Sequence, residues 1–238
     1  RDIGDNILKS AAPGVATKEL HIFLEIPASC TRSFSAGFLI GNFKLTVCNP
    51  ALVVIDMQKG GGMSVQASGI PTMVGFDKRV RKIVQVVDVA RRQKIPVIFF
   101  AEVHRSDHID FGRELDGVEG IHCIEGADDT ELEPCLTPMD GDYFISKRRY
   151  SCFFGTDLEI LLRGLKVNML ILVGELTDVC VHYTFVDAHQ RDYRIKVLED
   201  CVGGSTIERH EAALAAMKYL QRDSICLSTT FLDELHNG

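Results

Sequence analysis

The sequence predicts an α/β protein: a doubly wound parallel sheet of six strands with helices on both faces, plus an N-terminal arm. Three observations carry that reading. Short apolar runs without alternation, such as A-L-V-V-I-D (51–56) and N-M-L-I-L-V (168–173), suit strands buried on both faces. Between such runs apolar residues recur at helical spacing, and strands alternating with helices over short links close into βαβ units. The length of 238 residues suits one domain with an appended piece.

Residues 1–48 do not share this rhythm. L-H-I-F-L-E-I (20–26) and F-K-L-T-V (43–47) alternate as strands do, which predicts an arm or hairpin ahead of a domain at 49–238. After the first sheet strand, Val80, Ile83, Val84, Val87 and Ala90 place a helix over 77–94. I-P-V-I-F-F (95–100) is the second strand and Y-F-I-S (143–146) a shorter third. The segment from Ala101 to Asp142 is the longest irregular one and is rich in His, Asp and Gly, and a loop that long in a compact domain is usually functional. Thr156-Asp-Leu-Glu159 reads as a capping box that opens a helix ending at Gly164. The fourth strand is 168–173, a helix follows over Cys180–Asp192, and R-I-K-V-L (194–198) is the fifth strand. Ser205-Thr-Ile-Glu208 is a second capping box, ahead of Ala213, Ala216, Met217 and Leu220 on one face. S-I-C-L-S (224–228) is the last strand.

Composition excludes several classes. A net charge of −7 argues against a nucleic-acid or anionic-membrane surface. No apolar run approaches the roughly 18 residues of a membrane helix, and no basic-then-apolar leader opens the chain, which begins at Arg1. The eight cysteines include no C-x-x-C pair, against a zinc ribbon or a thioredoxin-like motif. A domain this size needs no disulfide staples, so free thiols in a cytoplasmic protein are expected.

In open parallel sheets, ligands bind beyond the carboxyl ends of the strands. Asp56, Lys147 and Cys180 fall at or just after such ends. Singly, each has a plain explanation: a turn-forming acid, a solvated lysine, a small core residue. Together they suit acyl transfer. A helix N-terminus and an ammonium favour the thiolate, a carboxylate moves the proton, and backbone N–H groups of the G-E-L-T-D-V-C turn hold an oxyanion.

A-L-V-V-I-D-M-Q (51–58), K-R-R-Y-S-C-F-F-G-T-D-L (147–158) and V-G-E-L-T-D-V-C-V (173–181) resemble, in order, the motifs of the isochorismatase-like cysteine hydrolases. That superfamily includes nicotinamidases, N-carbamoylsarcosine amidase, ureidoacrylate amidohydrolase and biuret hydrolase. The resemblance implies Asp56 as general base and acid, Lys147 as supporting cation and Cys180 as nucleophile. It implies a cis peptide at Glu175–Leu176 and an oxyanion hole from the N–H groups of Leu176 and Cys180. It also implies a small amide or ureido substrate, no redox or nucleotide cofactor, and a homo-oligomer, dimer or tetramer. The K-R-R-Y-S-C-F-F stretch closely resembles the ureidoacrylate group. Phe153 is then a pocket wall and Arg148 or Arg149 a partner for a substrate carboxylate, unless the arginines face solvent or a subunit interface; Gln58 is a further pocket candidate. Cys123 and Cys152 read as packing.

Two departures matter. Nicotinamidases carry Asp-x-His and a further histidine as metal ligands; F-A-E-V-H-R-S-D-H-I-D-F puts Glu102, His104 and His108 there, with His122 an equal candidate for the third ligand. A divalent metal is one reading, a polar loop with satisfied histidines the other. Lys59-Gly-Gly-Gly62 replaces an aromatic pocket residue and permits close backbone approach or a mobile lid. A phosphate loop is the rival reading, and the missing G-x-x-x-x-G-K-[ST] argues against it. Three activities remain: thioester amidohydrolase, metal-assisted nicotinamidase-like amidase, and non-catalytic fold-alike. An isochorismatase reaction on a vinyl ether would leave the cysteine without a role.

Overall fold

All six apolar runs read as strands join one sheet. The structure, a computed structural model, describes residues 38–40, 43–45 and 48–236. In chain order the elements are β1 (Phe38–Ile40), β2 (Phe43–Leu45), β3 (Pro50–Ile55), α1 (Val65–Ser68), α2 (Phe76–Arg92), β4 (Val97–Glu102), β5 (Tyr143–Lys147), α3 (Leu158–Gly164), β6 (Met169–Glu175), α4 (His182–His189), β7 (Arg194–Gly203), α5 (Ile207–Leu220), β8 (Ile225–Cys226) and α6 (Ser228–His236). The sheet order is β5-β4-β3-β6-β7-β8, and every neighbouring pair is parallel.

The lack of alternation in β3 and β6 has the cause inferred for it, because both strands are sealed on two faces. Ala51, Val53 and Ile55 pack with Leu170 and Leu172 against Leu158, Leu162, Phe185, Ala188 and Met217 of α3, α4 and α5. Leu52 and Val54 pack with Ile171 and Val173 against Val80, Ile83, Val87 and Phe231 of α2 and α6. Each such fully buried aliphatic side chain contributes about 1.5–3 kcal/mol. The strand order reverses between β3 and β6, so the crevice at their carboxyl ends is where a ligand site is expected.

Gly174, near the end of β6, shows how tightly that crevice is built. Its φ is +119°, and a Cβ there would lie 2.0 Å from the carbonyl oxygen of Ile55. Gly174→Ala is therefore expected to destabilise the fold by about 3 kcal/mol or more, read as a lowered urea midpoint. A midpoint within experimental error of wild type would mean the two strands do not approach this closely.

Three local expectations are corrected. Thr156 is not a capping-box residue: its hydroxyl donates to the Cys152 carbonyl and accepts from Leu158 N–H, Asp157 takes the cap position, and Glu159 turns to Arg163 and Arg191. The second cap is Thr206, which accepts from Arg209 N–H, because Ser205 commits its N–H and hydroxyl to the Asp178 carboxylate. The last strand is only two residues long, since Asp200 of β7 accepts from the N–H and hydroxyl of Ser228 and starts α6 there. Of the N-terminal arm, β2 pairs antiparallel with β1; the stretch 20–26 lies outside the described residues. Among the described residues no helix is long and apolar enough to cross a membrane.

Candidate active site

Sheet order brings the three singled-out side chains together. Lys147 ends β5 and is paired in register with Glu102, which ends β4. Asp56 follows β3 in the left-handed region (φ 50°) that Asp tolerates better than most residues. Lys147 is fully buried. Its Nζ lies 2.8 Å from Asp56 Oδ2 and 3.3 Å from Glu102 Oε1, and donates to Cys180 Sγ at 3.4 Å. The carboxylate oxygens of Asp56 and Glu102 and the Cys180 sulfur all fall within 4.8 Å of one another. Glu102 is thus a second anion on the lysine, a contact the sequence reading did not assign to it.

Burial and charge set the protonation of this group. Burial raises the Asp56 carboxyl to about 6, against the pull of Lys147 and with the push of Glu102. Burial also pushes the Cys180 thiol well above its ordinary value, Lys147 opposing and Asp56 and Glu102 adding. For Lys147, burial alone would lower the ammonium, but Asp56, Cys180 and Glu102 outweigh it and hold it well above. Burial likewise lifts Glu102, yet Lys147, His122 and His104 prevail and keep it below the usual range. The resting arrangement is a thiol beside a buried ion pair.

Cys180 sits in a π-helical turn, Thr177–Val181, that leads into α4; such turns are frequent at functional sites. The helix read over Cys180–Asp192 is therefore an α-helix only from His182. The Glu175–Leu176 peptide bond is cis. Glu175 is buried and ion-paired with Arg79 of α2 at 2.6 Å, and Arg79 also donates to the carbonyls of Met73 and Val74. Asp178 binds Ser205, and Thr177 Oγ1 contacts His210 Nδ1 at 2.9 Å. The turn is thus tied to α2 on one side and to the β7–α5 link on the other.

A narrow cavity, partly open to solvent, reaches Asp56, Leu176 and Cys180. Gly60 and Gly61 line it within a 3-10 turn, and a Cβ on Gly61 would meet the Phe76 ring at 2.4 Å. Gln58 lines it too, but its amide is committed to the Glu102 backbone and the Thr130 carbonyl. Phe153 is not a wall of this cavity: it lies in the core, with Arg191 over its ring and Tyr193 beside it. Arg149 is held by the carbonyls of Asp110 and Arg148 and lines a separate cleft with Arg113, Tyr183 and Asp187. Cys152 is core, whereas Cys123, expected to be packing, is buried yet lines the same cavity as Cys180. Sequence reasoning missed Glu119 and Tyr150 on the wall; Tyr150 stands inside the K-R-R-Y motif, the one available signal.

Next to this group, Glu102, His104, Glu114 and His122 are all buried and offer ligand atoms within 4.8 Å of one another. Glu102 Oε1 is paired with Lys147, but both ring nitrogens of His104, both oxygens of Glu114 and His122 Nε2 lack a conventional hydrogen bond, with His104 Nε2 only 3.2 Å from Glu114 Oε2. His122 Nδ1 lies 2.7 Å from the Gly120 carbonyl, which leaves the Nε2 lone pair free, as the outer hydrogen bond of a metal-bound histidine does. Two imidazoles and two carboxylates fit a divalent cation. His108 does not belong to the set: it is exposed on a left-handed turn against Phe111. Glu114, which no spacing rule picked out, and His122 complete it.

Residues 50–230 match the family model described as the isochorismatase domain. The chain is 30% identical over 190 residues to the ureidoacrylate amidohydrolase of Acinetobacter baylyi, covering 71% of this chain and 76% of that one. Among solved structures, N-carbamoylsarcosine amidase from Thermoplasma acidophilum superposes with a TM-score of 0.64 at 30% identity, over 76% of this chain and 96% of that one. The nicotinamidase/pyrazinamidase of Bacillus subtilis gives 0.66 at 27% identity, over 75% and 99%. With that fold, that strand order and that family match over most of its length, the chain belongs to the isochorismatase family of hydrolases.

Proposed function

We propose that the chain is an amidohydrolase that cleaves a linear amide or ureido C–N bond of a small molecule through a cysteine thioester. The observation that carries this is the meeting of Asp56, Lys147 and Cys180 beside a cavity at the sheet's topological switch. Similarity to a ureidoacrylate amidohydrolase and an N-carbamoylsarcosine amidase supports the same chemistry.

In this reading Asp56 takes the thiol proton as the Cys180 sulfur attacks the carbonyl carbon. The backbone N–H groups of Leu176 and Cys180 hold the oxyanion. Collapse of the tetrahedral intermediate breaks the C–N bond, and Asp56 returns the proton to the departing nitrogen. Water then gives a proton to Asp56, adds to the thioester and releases the acid with the thiol restored. Lys147 stays protonated throughout and offsets the charge on Asp56 and sulfur. The free thiols among the described residues support a reducing, cytoplasmic setting.

The pH profile tests the base. Asp56 acts only when ionised, so kcat/KM should fall on the acid side through an apparent pKa of about 6. A profile flat down to pH ~4, the ordinary carboxylate range, would exclude Asp56 from that role. Ammonia release over ureidoacids, biuret, maleamate, carbamoyl amino acids and nicotinamide tests the reaction class itself.

A second reading is favoured by the unpaired ligand atoms of the four-residue cluster. Glu102, His104, Glu114 and His122 would hold a divalent ion, which when bound would supply Lewis acidity at the cavity wall. Purified protein should then contain near-stoichiometric zinc, iron or manganese, and His104→Ala or Glu114→Ala should lose it with the fold intact. Metal content unaffected by both changes would reject the site.

A further inference from the structure

Building on the amidase reading, we infer that the substrate carries no negative charge: the cavity takes a neutral or cationic amide or urea, held at its N–H or ammonium end by Glu119 and Tyr150. The charge on the wall argues for this. Asp56, Glu102, Glu119, Asp129 and Glu175 line the cavity, and no lysine or arginine does among the described residues. Lys147 is engaged by Asp56 and Glu102, and Arg79 by Glu175. Among the described residues no lysine or arginine pairs with Glu119 or Asp129. The arginines expected to serve a substrate carboxylate are committed elsewhere, Arg148 to the Val103 carbonyl and Asp110, Arg149 to two backbone carbonyls. A carboxylate placed here would meet like charge in a poorly solvated slot.

Hydrogen-bond polarity points the same way. Tyr150 donates its hydroxyl to Glu119 Oε2 at 2.9 Å, so the pair turns only acceptors outward: the other Glu119 oxygen and the lone pairs of Tyr150. A wall of acceptors calls for a ligand rich in N–H donors. Burial pushes the Glu119 carboxyl above its usual range in spite of the Tyr150 hydroxyl, a bias that a bound cation would reverse. A divalent ion in the neighbouring cluster would be balanced by Glu102 and Glu114, leaving Glu119 and Asp129 as before. The inference separates this chain from its ureidoacrylate-cleaving relative, whose named substrate is a carboxylate.

Three ureas of similar size test it: N-carbamoylglycine (anionic), N-carbamoylglycinamide (neutral) and N-(2-aminoethyl)urea (cationic). Their binding to the Cys180→Ala variant, by calorimetry at neutral pH, is read beside ammonia release by the wild type. The neutral and cationic members should bind at least about tenfold more tightly than the anion. Glu119→Gln should remove the advantage of the cationic over the neutral member, and Tyr150→Phe should weaken both. Equal or tighter binding of the anion, failure of the other two to bind, or a cation-to-neutral ratio unmoved by Glu119→Gln would overturn the inference. Selective binding without turnover in the wild type would uphold the charge class and instead remove the amidase reading.

Discussion

Replacing Cys180 by alanine is expected to lower kcat by about four orders of magnitude or more, because the covalent route disappears with the sulfur. Serine should not restore activity, since its hydroxyl is far harder to ionise in a buried slot than a thiol. Stability should change little, by about 1 kcal/mol at most, as the side chain is small and its contact with Lys147 is a weak one. The informative rival is Cys123, the other thiol on the cavity wall. Burial pushes it well above the ordinary range, with Glu102 and Asp56 adding to the effect, and among the described residues no ammonium contacts its sulfur. Iodoacetamide at low dose should therefore modify Cys180 first, read by peptide mass spectrometry. Full activity in Cys180→Ala, or Cys123 labelled ahead of Cys180, would dismantle the proposed reaction.

Lys147→Met carries the largest effect on the fold. The lysine is the buried cation between Glu102, which is buried, and Asp56, whose side chain is 10% exposed. Without it two carboxylates face each other in low dielectric, and breaking such a pair by removing one partner costs about 3–5 kcal/mol. The cost depends on pH in a definite direction. In the variant both carboxyls would have folded-state pKa values above their unfolded ones, so they favour the fold while protonated and oppose it once ionised. The deficit against wild type should be small near pH ~4 and full above pH ~7. Urea midpoints at acid and neutral pH measure it; a deficit equal at both would indicate lost packing instead of unbalanced charge. Activity should fall by at least about a hundredfold, since Asp56 would then bind its proton too tightly to serve as a base. Arginine should not substitute, because a planar guanidinium does not fit a fully enclosed ammonium slot.

Which parts of this arrangement were legible beforehand follows from the range of the forces involved. The strands could be placed because burial on two faces leaves a mark on every residue of a run such as 51–55 or 169–173. Helix termini were less legible. Thr156 and Ser205 have the right residue type for a cap, but a buried carboxylate or carbonyl from elsewhere competes for the same hydroxyl, and Asp178 wins Ser205. The second motif likewise marked a stretch, while the direction of each side chain in it, Phe153 inward and Arg149 away from the cavity, depends on neighbours.

The candidate metal ligands illustrate the limit most clearly. Glu102 and His104 were visible because they leave the end of a strand, where alternation sets direction. His108 and Glu114 lie in irregular chain, where nothing local sets direction, and the fold turned the first to solvent and the second inward.

The sequence by itself determined the α/β class, the six strands, and the presence of an acid, a lysine and a cysteine at strand ends, since periodicity and position along the chain are local properties. Only the tertiary structure decided that β4 lies between β3 and β5, which makes Glu102 a partner of Lys147, and that the cavity wall is built of acceptors with its arginines turned away. Those outcomes depend on strand order and loop packing between residues far apart in the chain, where competition for a shared partner, not local preference, settles each contact.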